Sequence, residues 1–341
     1  MITIQHVYYV VGALFAAFSL LSAFDAANPK RFLNAIFWGL IAVSLLFGTL
    51  LSDLANGVLV VAIVILGGVF GLGVSKPATT TLEERQAGAA KRGNWLFGPV
   101  LLVPLITMIG TIAFLKPVQT GMAGLDGGLN GMISGLHGVL APIIAEDKAT
   151  VISLALACVI ALVVAWVWLR PPLLAPLQEG RRMMDSIGWA ALLPQMLASL
   201  GAVFLMAKVG EVVGGAVTSA VPMDGAFAAV VAYCVGMALF TIIMGNAFAA
   251  FPVMTAAIGL PFLILKFHGD PAIVSAIGML AGFCGTLMTP MAANFNVVPA
   301  NLLELPDRNS PLNGVIRAQI PTALPLLLAN IGLMYVLAFP R

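Results

Sequence analysis

The stretch GTLMTPMAANFNVVPA, residues 285–300, follows an apolar run long enough to enter a bilayer and then interrupts it. Gly285, Pro290 and Pro299 each weaken a helix, because glycine costs backbone entropy and proline lacks an N–H group. The pattern predicts a membrane helix that begins at Ala272, breaks within this stretch and restarts near its end.

Polar side chains occupy the same stretch. A discontinuous membrane helix leaves free N–H groups on one half and free carbonyl groups on the other, so that one end attracts carboxylates and the other suits a cation. The candidate ligands at this break are Thr286, Thr289, Asn294 and Asn296. The alternative interpretation is a plain cytoplasmic loop.

The composition makes lipid the natural solvent of the chain. Of its 341 residues, 61% are hydrophobic and 9% are charged. Soluble domains have about 25% charged residues. The mean hydropathy is +1.06. The net charge of +2, spread over scattered basic residues, gives no argument for a nucleic-acid partner.

Ten segments are apolar enough over about 20 residues to predict spanning helices. They are 5–24, 32–51, 55–75, 96–115, 149–169, 188–208, 226–244, 246–266, 272–290 and 320–339. With ten crossings, eleven of the 16 Lys and Arg residues fall on one face, which the positive-inside rule makes cytoplasmic. We therefore expect an all-α, multi-pass membrane protein with both termini outside.

The connections between the predicted spans divide the chain into four parts. Residues 1–75 form an N-terminal three-helix scaffold, 76–94 a cytoplasmic linker, 95–187 a first transport repeat and 188–341 a second one. The repeats rest on a loose similarity between ATVISLALACVIALV (149–163) and PAIVSAIGMLAGFCG (271–285). Inverted repeats of this kind are common in transporters.

A second polar stretch, MGNAFAAFPVMTAAIGLP, spans residues 244–261. Asn246 and Thr255 lie among apolar residues. Pro252 is predicted to break the helix here, and it displaces the carbonyl group of Phe248. In lipid that carbonyl needs another partner, which an ion or a substrate can supply. The alternatives are a hairpin-like element at a binding site and an ordinary proline-kinked helix with a packing asparagine.

The segment 117–147 is apolar but broken by glycines. Gly127, Gly131 and Gly135 recur every four residues, which allows another helix to approach closely. An outer loop, an interfacial helix and a re-entrant hairpin are all compatible with this pattern, and the hairpin is slightly favoured.

The sequence lacks the residues that several kinds of chemistry require. The three cysteines stand alone in apolar runs, and no pair of histidines has helical spacing, so we expect neither a metal site nor a cofactor. There is no phosphate-binding glycine-rich loop of the GxxxxGK type, which excludes ATP hydrolysis by this chain. No converging nucleophile and base indicates a catalytic site.

Three stretches resemble a known family: WAALLPQMLASLGAVF (189–204), MGNAFAAFPVMTAAIGLP (244–261) and GFCGTLMTPMAANFNVVPANLLEL (282–305). They are similar to the larger membrane subunit of the bacterial two-subunit 5-oxoproline (pyroglutamate) transporters, which suggests kinship with the ion-transporter superfamily. The resemblance implies re-entrant hairpins, a broken helix and a smaller membrane subunit as partner. Carried onto this chain, the hairpin contains Asn246 and Thr255, and the broken helix contains the four polar residues named above.

The function expected from these features is secondary active transport of a small carboxylate across the bacterial inner membrane. 5-Oxoproline is the favoured substrate, and Na⁺ is favoured over H⁺ as the coupling ion because the site offers carbonyls and amides but few carboxylates. Two rivals are a non-transporting scaffold or assembly subunit and, less favoured, an intramembrane enzyme. The sequence leaves homo-oligomerisation open.

Overall fold

The computed structural model describes residues 1–73, 80–115, 123–220, 223–302 and 311–339. The regular structure in these ranges is helical, with one isolated backbone bridge between Ile2 and Ile144. The chain is therefore an all-α protein, and it divides into two units, Met1–Asp185 and Ser186–Arg341. The finer division into four parts stays a prediction.

Seven helices of the described part are long and apolar enough to cross a membrane, which identifies a multi-pass helical membrane protein. They are Ile4–Ala23, Asp53–Phe70, Glu83–Ala113, Glu146–Leu169, Ala226–Met244, Ala247–Lys266 and Pro311–Leu337. Each overlaps one of the ten predicted segments. The other three segments coincide with helices of 17, 14 and 17 residues, so the count of ten spans stays a prediction.

The described part of the first unit consists of successive helices, and capping residues in the sequence indicate where two of them begin. Ser52 caps the third helix by accepting a hydrogen bond from the N–H of Ala55, and Thr81 and Glu84 form a capping box before the fourth. The helices are α1 (Ile4–Ala23), α2 (Arg31–Phe47), α3 (Asp53–Ile65, continued by a π-helix over Leu66–Phe70), α4 (Leu82–Arg92), α5 (Gly98–Ala113), α6 (Ala123–Leu140), α7 (Ala149–Leu169) and α8 (Ala175–Ile187).

Helix α8 is fastened to the first two helices by buried polar contacts. The rings of Phe15 and Trp38 stack between α1 and α2 with centroids 5.5 Å apart. The indole N–H of Trp38 donates a hydrogen bond of 2.7 Å to the carboxylate of Asp185 on α8. Arg181, also on α8, forms an ion pair of 3.0 Å with Asp25. Both carboxylates are thus paired where water is scarce.

Basic residues from two different connections lie at the same end of the first unit. Lys30 donates a hydrogen bond of 2.8 Å to the carbonyl oxygen of Phe70, where the π-helix after α3 ends. Arg181 donates one of 2.9 Å to the carbonyl oxygen of Leu21 near the end of α1. If every second connection is basic and lies on the same membrane face, the basic connections are expected to come together in this way.

The glycine-rich segment forms one continuous helix where the structure describes it. Helix α6 runs from Ala123 to Leu140 without a turn, which differs from the hairpin expected for 117–147. The physical reason is that a helix satisfies its own backbone groups, and in an apolar setting this outweighs the poor helix propensity of glycine. Residues 116–122 lie outside the described residues.

The described part of the second unit begins with a bent pair of helices, α9 (Leu193–Met206) and α10 (Val209–Ala220), which meet at 73°. There follow α11 (Ala226–Met244), α12 (Ala247–Met254, continued by a π-helix over Thr255–Lys266), α13 (Pro271–Leu287), a π-helix over Ala293–Val297, α14 (Val298–Leu302) and α15 (Pro311–Leu337).

Helices α11 and α13 approach each other closely along a row of glycines. Gly278, Gly282 and Gly285 lie on the face of α13 that contacts α11. A methyl group at Gly278 would meet the Tyr233 hydroxyl at 2.5 Å, and one at Gly285 would collide with the backbone of Ala238. The hydrophobic effect does not drive helices together within a membrane. Small residues let two helices approach closely enough to gain van der Waals contact.

Three of the four predicted helix breaks do not interrupt a helix. Pro252 lies inside α12, which continues without a hairpin and changes to π-helical register at Thr255. Gly285 lies inside α13, where it serves close packing. Pro299 is the second residue of α14, which continues the π-helix over Ala293–Val297 without a gap, so the helical run passes through this proline. Pro290 does lie in a non-helical segment, 288–292.

Candidate functional site

The tip of the helical pair α11–α12 lies against the break that follows α13. Gly245 ends α11 with a φ of 76°, and Asn246 caps α12 by accepting a hydrogen bond of 2.7 Å from the N–H of Phe248. A methyl group at Gly245 would lie 2.7 Å from Cβ of Met291. The positive φ and this close approach both require glycine at the tip.

Thr289 fastens the break to α11. Its hydroxyl donates a hydrogen bond of 2.8 Å to the carbonyl oxygen of Ile242 and accepts one of 3.2 Å from the N–H of Met291. The side chain is 1% exposed. A carbonyl near the end of α11 and an N–H of the non-helical segment therefore share one hydroxyl as partner, which compensates for the hydrogen bonds that Pro290 prevents.

Asn296 spans the break from its far side. It is fully buried, and its amide NH₂ donates to the carbonyl oxygens of Thr286 at 2.9 Å and Thr289 at 2.6 Å. The carbonyl of Thr286 lacks its helical partner because residue 290 is a proline. The carbonyl of Thr289 lies within the break and also accepts a hydrogen bond of 3.3 Å from the N–H of Ala292. The side-chain oxygen of Asn296 is buried and has no hydrogen-bond partner in the part of the chain that the structure describes. An unpaired buried acceptor in a native site calls for an explanation such as an ion or a water molecule.

Two other buried oxygen atoms near the break also lack hydrogen-bond partners among the residues described. Thr241, one turn before the tip on α11, has a hydroxyl with no hydrogen-bond partner. Gln319 on α15 donates its amide at 3.2 Å to the carbonyl oxygen of Phe295, while its own side-chain oxygen has none. Neither residue was among the site residues predicted from the sequence. For Thr241 the available signal was a single polar residue in an apolar run, whereas Gln319 lies in a mixed stretch close to Arg317 and gives no such signal.

The remaining predicted site residues are placed differently. Thr286 is buried and uses its hydroxyl within its own helix, on the carbonyl oxygen of Phe283. Thr255 pairs with the hydroxyl of Tyr233 at 2.9 Å. It lies nine residues beyond Asn246, or about 13 Å along the helix axis, and so does not belong to the tip. Asn294 falls in the π-helix after the break, but its side chain lies outside the described part.

Aromatic rings line one side of the break. Phe283 of α13 packs edge-to-face on Phe248 of α12, with ring centroids 5.9 Å apart, and lies 5.8 Å from the ring of Phe295 beyond the break. Phe248 is 45% exposed and Phe295 is 36% exposed. The site thus combines buried amide and hydroxyl groups with an apolar, partly open wall.

Helix ends supply the electrostatics of this site. Helix α12 begins at the tip, and its first N–H groups carry partial positive charge. Helix α13 ends at the break, where its last carbonyl groups carry partial negative charge. Among the described residues, no cluster of His, Cys, Asp and Glu side chains has the arrangement of a metal site. The arrangement thus brings helix ends with partial charges of both signs to one site.

Comparison with known proteins assigns the chain to a family without assigning it an activity. No curated protein matches the chain, and no solved structure does. The family model described as "Protein of unknown function (DUF979)" matches residues 5–339, which include the whole candidate site. Since that match covers nearly all 341 residues, the chain belongs to the DUF979 family.

Proposed function

We propose that this chain is the larger subunit of a secondary active transporter for a small carboxylate, working by alternating access in the bacterial inner membrane. The observation that carries the proposal is the non-helical segment 288–292, held against the tip of α11–α12 and bordered by unpartnered buried oxygen atoms. Transporters commonly bind substrate and coupling ion where a membrane helix is discontinuous. The finer architecture of about ten spans belongs to the same proposal.

The favoured substrate is 5-oxoproline. This compact anion carries a carboxylate, which suits the N-terminal end of α12, and a lactam ring, which suits amide partners and an apolar wall. Phe248, Phe283 and Phe295 supply such a wall. No arginine is needed to neutralise the carboxylate, because the helix end and the coupling cation share that task.

The favoured coupling ion is Na⁺. Three buried oxygen atoms have no hydrogen-bond partner within the described ranges: the side-chain oxygens of Asn296 and Gln319 and the hydroxyl of Thr241. Neutral oxygen atoms are suitable ligands for a hard cation, and none of the three takes up a proton near neutral pH. The proposed partner is a smaller membrane subunit, which the resemblance of 189–204, 244–261 and 282–305 implies.

The test measures uptake of labelled 5-oxoproline into vesicles that contain both subunits, with an inward gradient of Na⁺ or of protons. Thr241→Val is the informative variant, since it replaces an unpartnered hydroxyl by a methyl group and should leave the melting temperature unchanged. We expect the Na⁺ concentration for half-maximal uptake to rise about tenfold, as for losing one charge-assisted ligand.

Matched controls separate transport from folding. Thr218→Val removes a hydroxyl that bonds the carbonyl oxygen of Gly214 within α10, and uptake should stay as in the parent protein. Asn296→Ala should abolish uptake, whereas Asn330→Ala, at another buried asparagine, should retain it. Transport by the smaller subunit alone would overturn the proposal and favour a scaffold role for this chain.

A further inference from the structure

A groove of about 820 Å³ opens on the surface of the first unit. Arg92 at the end of α4 borders it on one side, and the last turns of α7 form the other. Six residues define its chemistry: Arg92, Arg170, Trp168, Val163, Val164 and Val167. The groove therefore has two cationic side chains and a long apolar floor.

Within the described ranges, the two guanidinium groups have no carboxylate partners. Neither Arg92 nor Arg170 lies within 4.0 Å of an Asp or Glu oxygen among the described residues. Arg92 lies 6.0 Å from the ring centre of Trp168, a cation–π contact that leaves its N–H donors available. By contrast, Arg181 and Arg182 on the nearby helix α8 both pair with carboxylates.

The groove lies at the level where tryptophans gather. Trp166 and Trp168 in the last turn of α7 are 37% and 40% exposed, and Trp95 just before α5 is 80% exposed. Exposed tryptophans of membrane proteins concentrate at the lipid headgroup region. The valines continue from there along α7 and face outward, with Val167 69% exposed. The groove therefore starts at the headgroups and runs toward the acyl chains.

We propose that this groove binds an anionic glycerophospholipid. The phosphate lies between Arg92 and Arg170, and an acyl chain lies along the three valines. Arginine recognises phosphate oxygens through paired N–H donors, and basic pockets between membrane helices are suited to acidic lipid headgroups. A zwitterionic lipid fits less well, since its own cationic group is repelled by two unpaired guanidinium groups.

The experiment uses the full-length chain, purified in detergent and freed of lipid. Dibrominated phosphatidylglycerol and dibrominated phosphatidylcholine with identical acyl chains are added separately, and quenching of tryptophan fluorescence is followed. We expect phosphatidylglycerol to bind about tenfold more tightly, as for two charge-assisted contacts at a partly exposed site. The Trp168→Phe variant assigns the signal, because it should remove the quenching component that saturates first.

The Arg92→Gln/Arg170→Gln double variant should abolish the preference for phosphatidylglycerol. The control is Arg31→Gln, since Arg31 lies over the ring of Phe32 at 4.6 Å and does not line the groove. Its binding curve should match that of the parent protein. Equal affinity of the parent for both lipids would overturn the proposal, as would full retention of the preference in the double variant.

A soluble competitor distinguishes a lipid site from a site for any phosphate. Glycerol 3-phosphate should not displace the brominated lipid, because it lacks the acyl chain that the valines hold. Displacement at concentrations similar to those of the lipid would overturn the lipid assignment. The outcome is independent of transport, since neither arginine belongs to the break at 288–292.

Discussion

The hydroxyl of Thr289 donates a hydrogen bond of 2.8 Å to the carbonyl oxygen of Ile242, 47 residues earlier in the chain. This bond joins the non-helical segment after α13 to the end of α11. The helical pair α11–α12 and the break therefore hold each other in position, and each becomes part of one site.

Thr289→Val removes this bond while keeping the shape of the side chain. The carbonyl oxygen of Ile242 is then left without its side-chain partner in an apolar setting, which costs about 1–3 kcal/mol. We expect a lower melting temperature in detergent and slower uptake. Thr218→Val, whose hydroxyl bonds within its own helix, should change stability by less than about 0.5 kcal/mol. Equal effects of the two variants would contradict a role for Thr289 at the break.

The role of Asn246 can be tested with a variant that adds a negative charge but still caps helix α12. Asn246→Asp retains an oxygen that accepts from the N–H of Phe248, so helix α12 should remain as stable. The added negative charge repels an anionic substrate, and we expect KM for 5-oxoproline to rise about tenfold with a smaller change in kcat. Asn246→Ser keeps a neutral cap and should keep KM. An unchanged KM in the aspartate variant would remove Asn246 from the substrate site.

Gly285→Ala tests the contact between α11 and α13. The new methyl group meets the backbone of Ala238, which cannot rotate away, and overpacking of this kind costs about 1–3 kcal/mol. Gly332 on α15 is a matched control, since a methyl group there meets no atom within 4 Å. Gly332→Ala should stabilise the helix by about 0.5–1 kcal/mol. Thermal unfolding of both variants measures the difference, and a neutral Gly285→Ala would refute the close contact.

Arg181→Gln leaves the carboxylate of Asp25 buried without its cation. The side chains of this pair are 11% and 9% exposed, so we expect a cost of about 3 kcal/mol. The pair of Arg182 with Glu179 is more open, at 26% and 27%, and Arg182→Gln should cost less than about 1 kcal/mol. Added salt should shrink only the second effect. If added salt reduced the destabilisation of both variants equally, this distinction between the two ion pairs would be wrong.

The sequence was sufficient to predict the class of protein and the location of the break. A low charge content and apolar runs of about 20 residues indicate membrane helices whatever their neighbours are. The helix after Asp270 ends at Leu287 and a new one begins at Ala293, inside the stretch where proline and glycine weaken a helix. These signals are local, and local signals can be interpreted from one sequence.

The partners of the polar side chains could not be predicted in this way. Helices such as α7 and α11 are apolar on all sides, so their patterns do not indicate which face meets another helix. Nothing in the sequence links Thr255 to Tyr233, or Thr289 to Ile242. Pro252 was expected to interrupt its helix, but the change to π-helical register accommodates it, and only the backbone path reveals this.

The contacts of α8 have a consequence for how the chain is made. Trp38 and Asp25 emerge early during synthesis, but their buried partners, Asp185 and Arg181, lie about 150 residues later. Until translation passes Asp185, the indole N–H and the carboxylate must stay hydrated at the membrane surface or find temporary partners. The N-terminal helices therefore reach their final state only when α8 leaves the ribosome, and a fragment cut before α8 would be released with two buried polar groups unpaired.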